Sequence, residues 1–182
     1  MAKSILKAAL GRVLGDYSYY RILASPKAFK LDGVPESSFA IDVDESTLSG
    51  ARSEAIRSQS WYAGPGAHIF AWIQDQEIVA MCAYWHGDRY AQRAFWPLRS
   101  NEAKLVQIVV DPAHRGRGIA SRLIERSTAR MLGSGFARLY ARVWHSNAPS
   151  LRAFQAARWS RIASVVEVKP FGIGPRLRFR WR

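Results

Sequence analysis

A chain of 182 residues with 48% hydrophobic content has enough apolar surface to build a core, which excludes a disordered polymer. Its 27 Lys and Arg against 14 Asp and Glu leave a formal charge of +13. The long-range field therefore favours anionic partners, without choosing among nucleic acid, an anionic membrane and a phosphorylated cofactor. The single cysteine, Cys82, cannot close an internal disulfide, and no run approaches the roughly 18 apolar residues of a spanning helix, so a cytoplasmic protein with Cys82 in its core is expected.

Residues 2 to 14, "AKSILKAALGRVL", put Ile5, Leu6, Ala9, Leu10 and Val13 on one helical stripe. This predicts a basic amphipathic extension, covering about residues 1–30, that packs on the domain or makes peripheral contact with a membrane. The tyrosines of "DYSYYRIL" are expected to pack beneath it. "FAIDV", 39 to 43, alternates as a short strand, and 46 to 60 carries helix-forming residues before the loop "AGPGA". "HIFAWIQD" and "EIVAMCAYWHG" then read as an antiparallel hairpin, and a long connection, 88 to 103, leads to the strand "KLVQIVVD", 104 to 111.

Beyond Pro112 a helix is predicted with Ile119, Leu123, Ile124, Met131 and Leu132 on its apolar face, ended by Gly133 and Gly135. "ARLYARVW", 137 to 144, is a further strand, and Asn147 is the N-cap of a second helix. Strands near 161 to 168 and 176 to 182 flank the turn "GIGP". In "RLRFRWR" Leu177, Phe179 and Trp181 alternate with Arg176, Arg178, Arg180 and Arg182. The pattern predicts a half-buried strand with a solvated basic face, the alternative being an anion-binding or nucleic-acid-binding face. With no repeat and no linker, residues 1–182 read as one domain.

The chemistry concentrates in "VVDPAHRGRGIASRLI", 109 to 124, where a strand turns through two glycines into a helix. The first turn of a helix leaves backbone N–H groups without partners, and the peptide dipoles add partial positive charge there. Gly116 and Gly118 permit close approach of an anion and an N–H-lined nest, and Arg115 and Arg117 add charge. The spacing fits neither a P-loop nor a dinucleotide-binding fingerprint.

The order "KLVQIVVDPAHRGRGIASRLI", then a strand, then "SNAPSLRAF" resembles the GNAT superfamily of acyl-CoA-dependent N-acyltransferases over residues 104 to 160. The family signature Gln/Arg-x-x-Gly-x-Gly/Ala falls on Arg115, Gly116, Arg117, Gly118, Ile119 and Ala120. The resemblance implies an α/β fold, a mixed, mostly antiparallel twisted sheet flanked by helices with splayed central strands. It also implies acetyl-CoA as cofactor, its pyrophosphate on this loop and on Ser121. Main-chain groups of Ile108, Val109 and Val110 would meet the pantetheine arm, with Asn147, Ser150 and Phe154 on its other side. Strands 104 to 111 and 137 to 144 would splay to admit the thioester, whose oxygen the Val110 N–H would receive.

Three positions depart from the family pattern. Phe154 stands where a tyrosine often serves as general acid, Arg158 and Trp159 replace a Gly-Phe pair, and Lys104 stands where a glutamate often serves as base. Glu102, two residues earlier on the same strand face, and His145, which ends the second splayed strand, are the base candidates. His86, Tyr62, Tyr84 and Tyr90 are weaker ones. No metal is called for. The expected function is transfer of an acetyl group from acetyl-CoA to a small-molecule or peptide amine, with a homodimer among the expected assemblies. The rival is a nucleic-acid or anionic-surface binding module on a catalytically degenerate scaffold.

Overall fold

The computed structural model describes residues 16–28, 39–93, 95–169 and 177–182. The stripe over 2 to 14, the "GIGP" turn and Arg176 lie outside the described residues.

One twisted sheet organises the chain. Its strands are β1 (Asp16–Ala24), β2 (Phe39–Ile41), β3 (Ala67–Gln74), β4 (Glu77–Trp85), β5 (Glu102–Val110), β6 (Arg138–Trp144), β7 (Ser160–Lys169) and β8 (Leu177–Trp181). They lie in the order β2-β3-β4-β5-β6-β1-β7-β8, and every pairing is antiparallel except β5 with β6. The hairpin β3–β4 closes through Asp75 and Gln76, both at positive φ, 49° and 63°, the backbone that a tight two-residue turn between twisted strands requires.

The period-2 alternation of the central strands divides the core into two layers. Phe70, Trp72, Cys82 and Tyr84 face the long helices α4 (Ile119–Gly133) and α5 (Ala148–Ala156), meeting Ile119, Leu123, Ile124, Met131 and Phe154. Ile69, Ala71, Met81, Ala83 and Trp85 face the opposite side, where the short helices α1 (Glu45–Ser49), α2 (Glu54–Arg57) and α3 (Gly87–Ala91) deliver Leu48, Ile56 and Tyr90. The helix-forming residues of 46 to 60 thus build two short helices, with Asp44 capping the first by accepting from the Thr47 N–H at 2.8 Å. Among the described residues no helix is long and apolar enough to cross a membrane.

"DYSYYRIL" forms β1, inserted between β6 and β7, and the stripe it was expected to pack beneath lies outside the described residues. Ser18, Tyr20 and Ile22 are buried, and Tyr20 and Ile22 pack with Phe95, Ala163 and Val165. The carboxy-terminal strand β8 is an edge strand exposed on both rows rather than half-buried: Leu177 is 48% exposed, Phe179 55% and Trp181 45%, and Arg178 and Arg180 are exposed as well. The Arg178 guanidinium lies 4.6 Å from the Phe95 ring centre and donates from Nε to Glu167 at 2.9 Å, and Arg180 lies 4.5 Å from the Trp96 ring. Aromatic faces attract these cations while both rows of the strand stay exposed.

Candidate active site

The strand–loop–helix elbow is pinned from its acidic end. Asp111 accepts from the Ala113 N–H at 2.9 Å, from His114 Nδ1 at 3.2 Å and from the Ser53 hydroxyl of the neighbouring segment, so Pro112–His114 close as a single 3-10 turn. The Ser53 hydroxyl, and after it His114, hold the Asp111 carboxyl below the ordinary carboxylate range. Past this turn Gly116 and Gly118 adopt φ of 77° and 72°, a left-handed backbone that other residues resist. The main-chain N–H groups of residues 116 to 121 have no backbone acceptor among the described residues, and they converge at the start of α4. A Cβ at Gly116 would meet nothing within 4 Å, and one at Gly118 only the Ser121 Oγ at 3.9 Å, so the concave side of the loop is open. Unpaired N–H groups, a helix terminus and free space suit a phosphate group.

The loop forms one wall of a cleft of about 600 Å³ lined by Ile108, Val109, Val110, Arg115, Ser121, Asn147 and Ser150 among others. Arg117 does not line it; its carbonyl accepts from Arg122 Nη2 at 2.7 Å, on the outside of the turn. Asn147 caps α5 by accepting from the Ser150 N–H at 3.1 Å, and both residues line the cleft opposite the loop.

The parallel pairing of β5 with β6 runs only from Glu102 with Arg138 to Leu105 with Ala141, after which the strands part. The Asp111 N–H donates to the Val79 carbonyl at 2.8 Å, so Asp111, and Val109 two residues before it, turn their main-chain groups toward β4. Ile108 and Val110 therefore turn theirs to the open edge. There the Val110 carbonyl accepts from Arg115 Nε at 3.2 Å, and the Ile108 N–H donates to Gln107 Oε1 at 3.1 Å. Val109 lines the cleft but has no main-chain group to offer it.

A cavity of about 140 Å³ fills the split between β5 and β6, sharing Ile108, Asn147 and Ser150 with the cleft. Phe154 borders it, fully buried, its ring 5.0 Å from that of Trp159. A third cavity of about 540 Å³ shares Leu105, Val106, Gln107, Arg142 and Trp144 with the second. Each space shares lining residues with the next, so the three follow one another as a trough from the loop of α4 to a pocket walled by Tyr20, Tyr62, Phe95 and Trp144.

Neither proposed base reaches this trough. Glu102 sits at the closed end of the β5–β6 pair, where its carboxylate accepts from the Tyr140 hydroxyl at 3.0 Å and the Arg99 N–H at 2.9 Å. His145 is docked on β1, stacked 4.7 Å from the Tyr19 ring with Nδ1 3.3 Å from the Tyr19 carbonyl, and it lines none of the three cavities. Tyr84 is a core residue hydrogen-bonded at 2.9 Å to Ser127, and burial pushes its pKa well above the ordinary range. His86 stacks on His68 away from the trough, and the Tyr90 hydroxyl accepts from the Trp96 N–H; of the weaker candidates only Tyr62 lines the third cavity.

Lys104, one of the three departures from the family pattern, also lines the trough, as Tyr62 does at the same end and His114 at the other. Lys104 is 5% exposed, its Nζ 5.2 Å from the ring centres of both Tyr90 and Phe95, and it lines the third cavity. Burial, reinforced by Arg142, Arg93 and Arg178, lowers its pKa to about 7. A lysine that is half neutral near pH 7 can accept a proton from an ammonium.

The Acetyltransferase (GNAT) family model matches residues 38–158, and the chain belongs to that family, whose chemistry is acyl transfer. Among solved structures, an acetyltransferase of the GNAT family from Colwellia psychrerythraea matches with TM-score 0.63 at 14% identity, covering 93% of this chain and 63% of that one. A GCN5-related N-acetyltransferase from Sphaerobacter thermophilus matches with TM-score 0.57 at 15% identity over 93% of this chain and 56% of that one, so this chain spans less than two thirds of either. The ribosomal-protein-S18-alanine N-acetyltransferase of Escherichia coli matches with TM-score 0.53 at 17% identity, over 75% of this chain and 96% of that one. These likenesses show the mixed, mostly antiparallel fold with its split central strands. No curated protein matches the chain.

Proposed function

We propose that this chain is an N-acetyltransferase that moves an acetyl group from acetyl-CoA to an amine that enters from the opposite end of the trough. The observation that carries the reading is the succession of three cavities with shared walls: an N–H-lined phosphate cradle at one end, an open strand edge in the middle and a pocket with a partly neutral lysine at the other.

Acetyl-CoA, when bound, supplies an activated acetyl thioester. The N–H groups of residues 116 to 121, with Arg115, would hold the pyrophosphate, and the open-edge groups of Ile108 and Val110, with Asn147 and Ser150 opposite, would orient the arm. The Val110 N–H, free of strand pairing, is the donor available to a thioester oxygen in the split. Lys104 takes a proton from the acceptor ammonium, leaving a neutral amine, and passes it to water through the open pocket. Phe154 has no proton to give; its ring keeps the split dry and shaped.

The test combines thiol release from acetyl-CoA over a panel of amines with thermal stability in CoA and, separately, in short duplex DNA at two salt concentrations. Stabilisation by CoA and amine-dependent thiol release support the reading. Salt-sensitive stabilisation by DNA alone, with no thiol release, supports the binding-module rival.

A further inference from the structure

Resting on the acetyltransferase reading for its chemistry, we infer that the acceptor is a small zwitterionic amine, such as an amino acid, whose anionic group is gripped by Arg93 and Arg142 in the third cavity while its ammonium meets Lys104.

The cavity is short of negative charge. Its lining among the described residues brings together Arg93, Lys104 and Arg142 with Gln107 and aromatic or aliphatic residues, and no Asp or Glu. None of the three cations forms an ion pair or donates a hydrogen bond among the described residues. Three arginines elsewhere have carboxylate partners: Arg178 with Glu167, Arg57 with Glu54 and Arg52 with Glu77. At the cavity the guanidinium faces rest on rings instead. Arg142 lies 4.1 Å from the Phe95 ring centre and 4.7 Å from that of Tyr20, and Arg93 lies 4.5 Å from Trp85. Stacking uses the face of a guanidinium and leaves its in-plane N–H donors for an anion. Three like charges around one cavity repel one another, and a bound carboxylate or phosphate relieves this directly. A polyamine would add to the repulsion. The aromatic walls and the volume of about 540 Å³ suit a small molecule with an apolar side chain.

The same anion tunes the base. Arg142 and Arg93 both disfavour the protonated form of Lys104, and an anion between them offsets that influence, so docking of the acceptor raises the proton affinity of Lys104 as the ammonium arrives. The ammonium then gives one proton to Lys104. As the nitrogen–acyl bond forms and the carbon–sulfur bond breaks, a second proton leaves with the thiol, and Lys104 returns the first to water. A net proton is released per acetyl group transferred.

Calorimetry with 3-phenylpropionate and its neutral amide, 3-phenylpropanamide, tests the site without turnover. The acid is expected to bind at least roughly tenfold more tightly than the amide, with proton uptake, read from two buffers of different ionisation heat, that disappears in Lys104→Met. Arg142→Gln and Arg93→Gln should each remove most of the preference for the acid while CoA affinity stays unchanged. Equal binding of acid and amide, or no binding of either at millimolar concentration, overturns the inference. Thiol release that favours L-phenylalaninamide over L-phenylalanine overturns it while leaving the acetyltransferase reading intact. Acid binding without thiol release from any amine removes that reading and leaves the anion site standing. An aminophosphonate compared with the matching amino acid separates phosphate-type from carboxylate acceptors.

Discussion

Lys104 stands with its Nζ 5.2 Å over the centre of the Phe95 ring, a buried cation cushioned by an aromatic face and matched by no carboxylate among the described residues. Its pKa falls from the ordinary 10.5 to about 7, so between these values the unfolded chain binds a proton that the folded chain does not. The resulting penalty is full below about pH 7 and is relieved as pH rises toward 10.5. Lys104→Met is therefore expected to melt at a higher temperature than the parent near pH 6, with the gain shrinking as pH rises, while acetyl transfer falls roughly a hundredfold. Calorimetric melting at several pH values checks this, and a variant less stable than the parent at the acid end contradicts it.

The pH profile of kcat/KM follows from the same residue. Lys104 is faced by Arg142 from β6, Arg178 from β8, Tyr90 from α3 and Arg93 just beyond α3. With an acceptor whose amine ionises well above this range, activity should rise through an inflection near 7, the pKa to which Lys104 falls. Lys104→Arg, cationic throughout, should lose that inflection; an unchanged profile would assign the proton to another group.

Phe154→Leu should cost about 1 kcal/mol of stability, because the ring is fully buried against Trp159 and leucine refills most of its space. CoA affinity should change by less than about threefold and turnover should survive, since no proton passes through this side chain. Abolished turnover with intact CoA affinity, from parallel calorimetry and thiol release, would show the ring to be essential in the split.

The elbow, the hairpin, the Asn147 cap and α4 were legible because each has a local cause: glycines at positive φ, alternation, a side chain that caps its own helix. β1 carries its own signal, Ser18, Tyr20 and Ile22 alternating with Tyr17, Tyr19 and Arg21, beside an amphipathic stripe whose helical period is stronger. Lys104 had no local signal. A lysine in a strand ordinarily faces water, and only the insertion of β1 and the placement of Tyr90 and Phe95 bury it. Glu102 and His145 lie outside the three cavities for the same reason: chain proximity to β5 and β6 does not say at which end of the split a side chain lies.

Asp111 is the anchor that the elbow motif did not disclose. Removing its carboxylate in Asp111→Ala frees the Ala113 N–H, His114 and Ser53 together. CoA affinity should drop roughly fivefold, the equivalent of the ~1 kcal/mol of a lost cap, with little change in secondary structure. Unchanged affinity by calorimetry would show that the loop keeps its shape without the anchor.

The most direct test of the account is calorimetric titration of CoA into the parent and Gly118→Val. The position needs φ of 72° and an open concave face, and valine denies both. The account predicts binding by the parent and a loss of roughly a hundredfold or more in the variant, with its melting cooperativity retained. Equal affinity in the two proteins would contradict the placement of the pyrophosphate on residues 116 to 121, and with it the trough as the path of acetyl transfer.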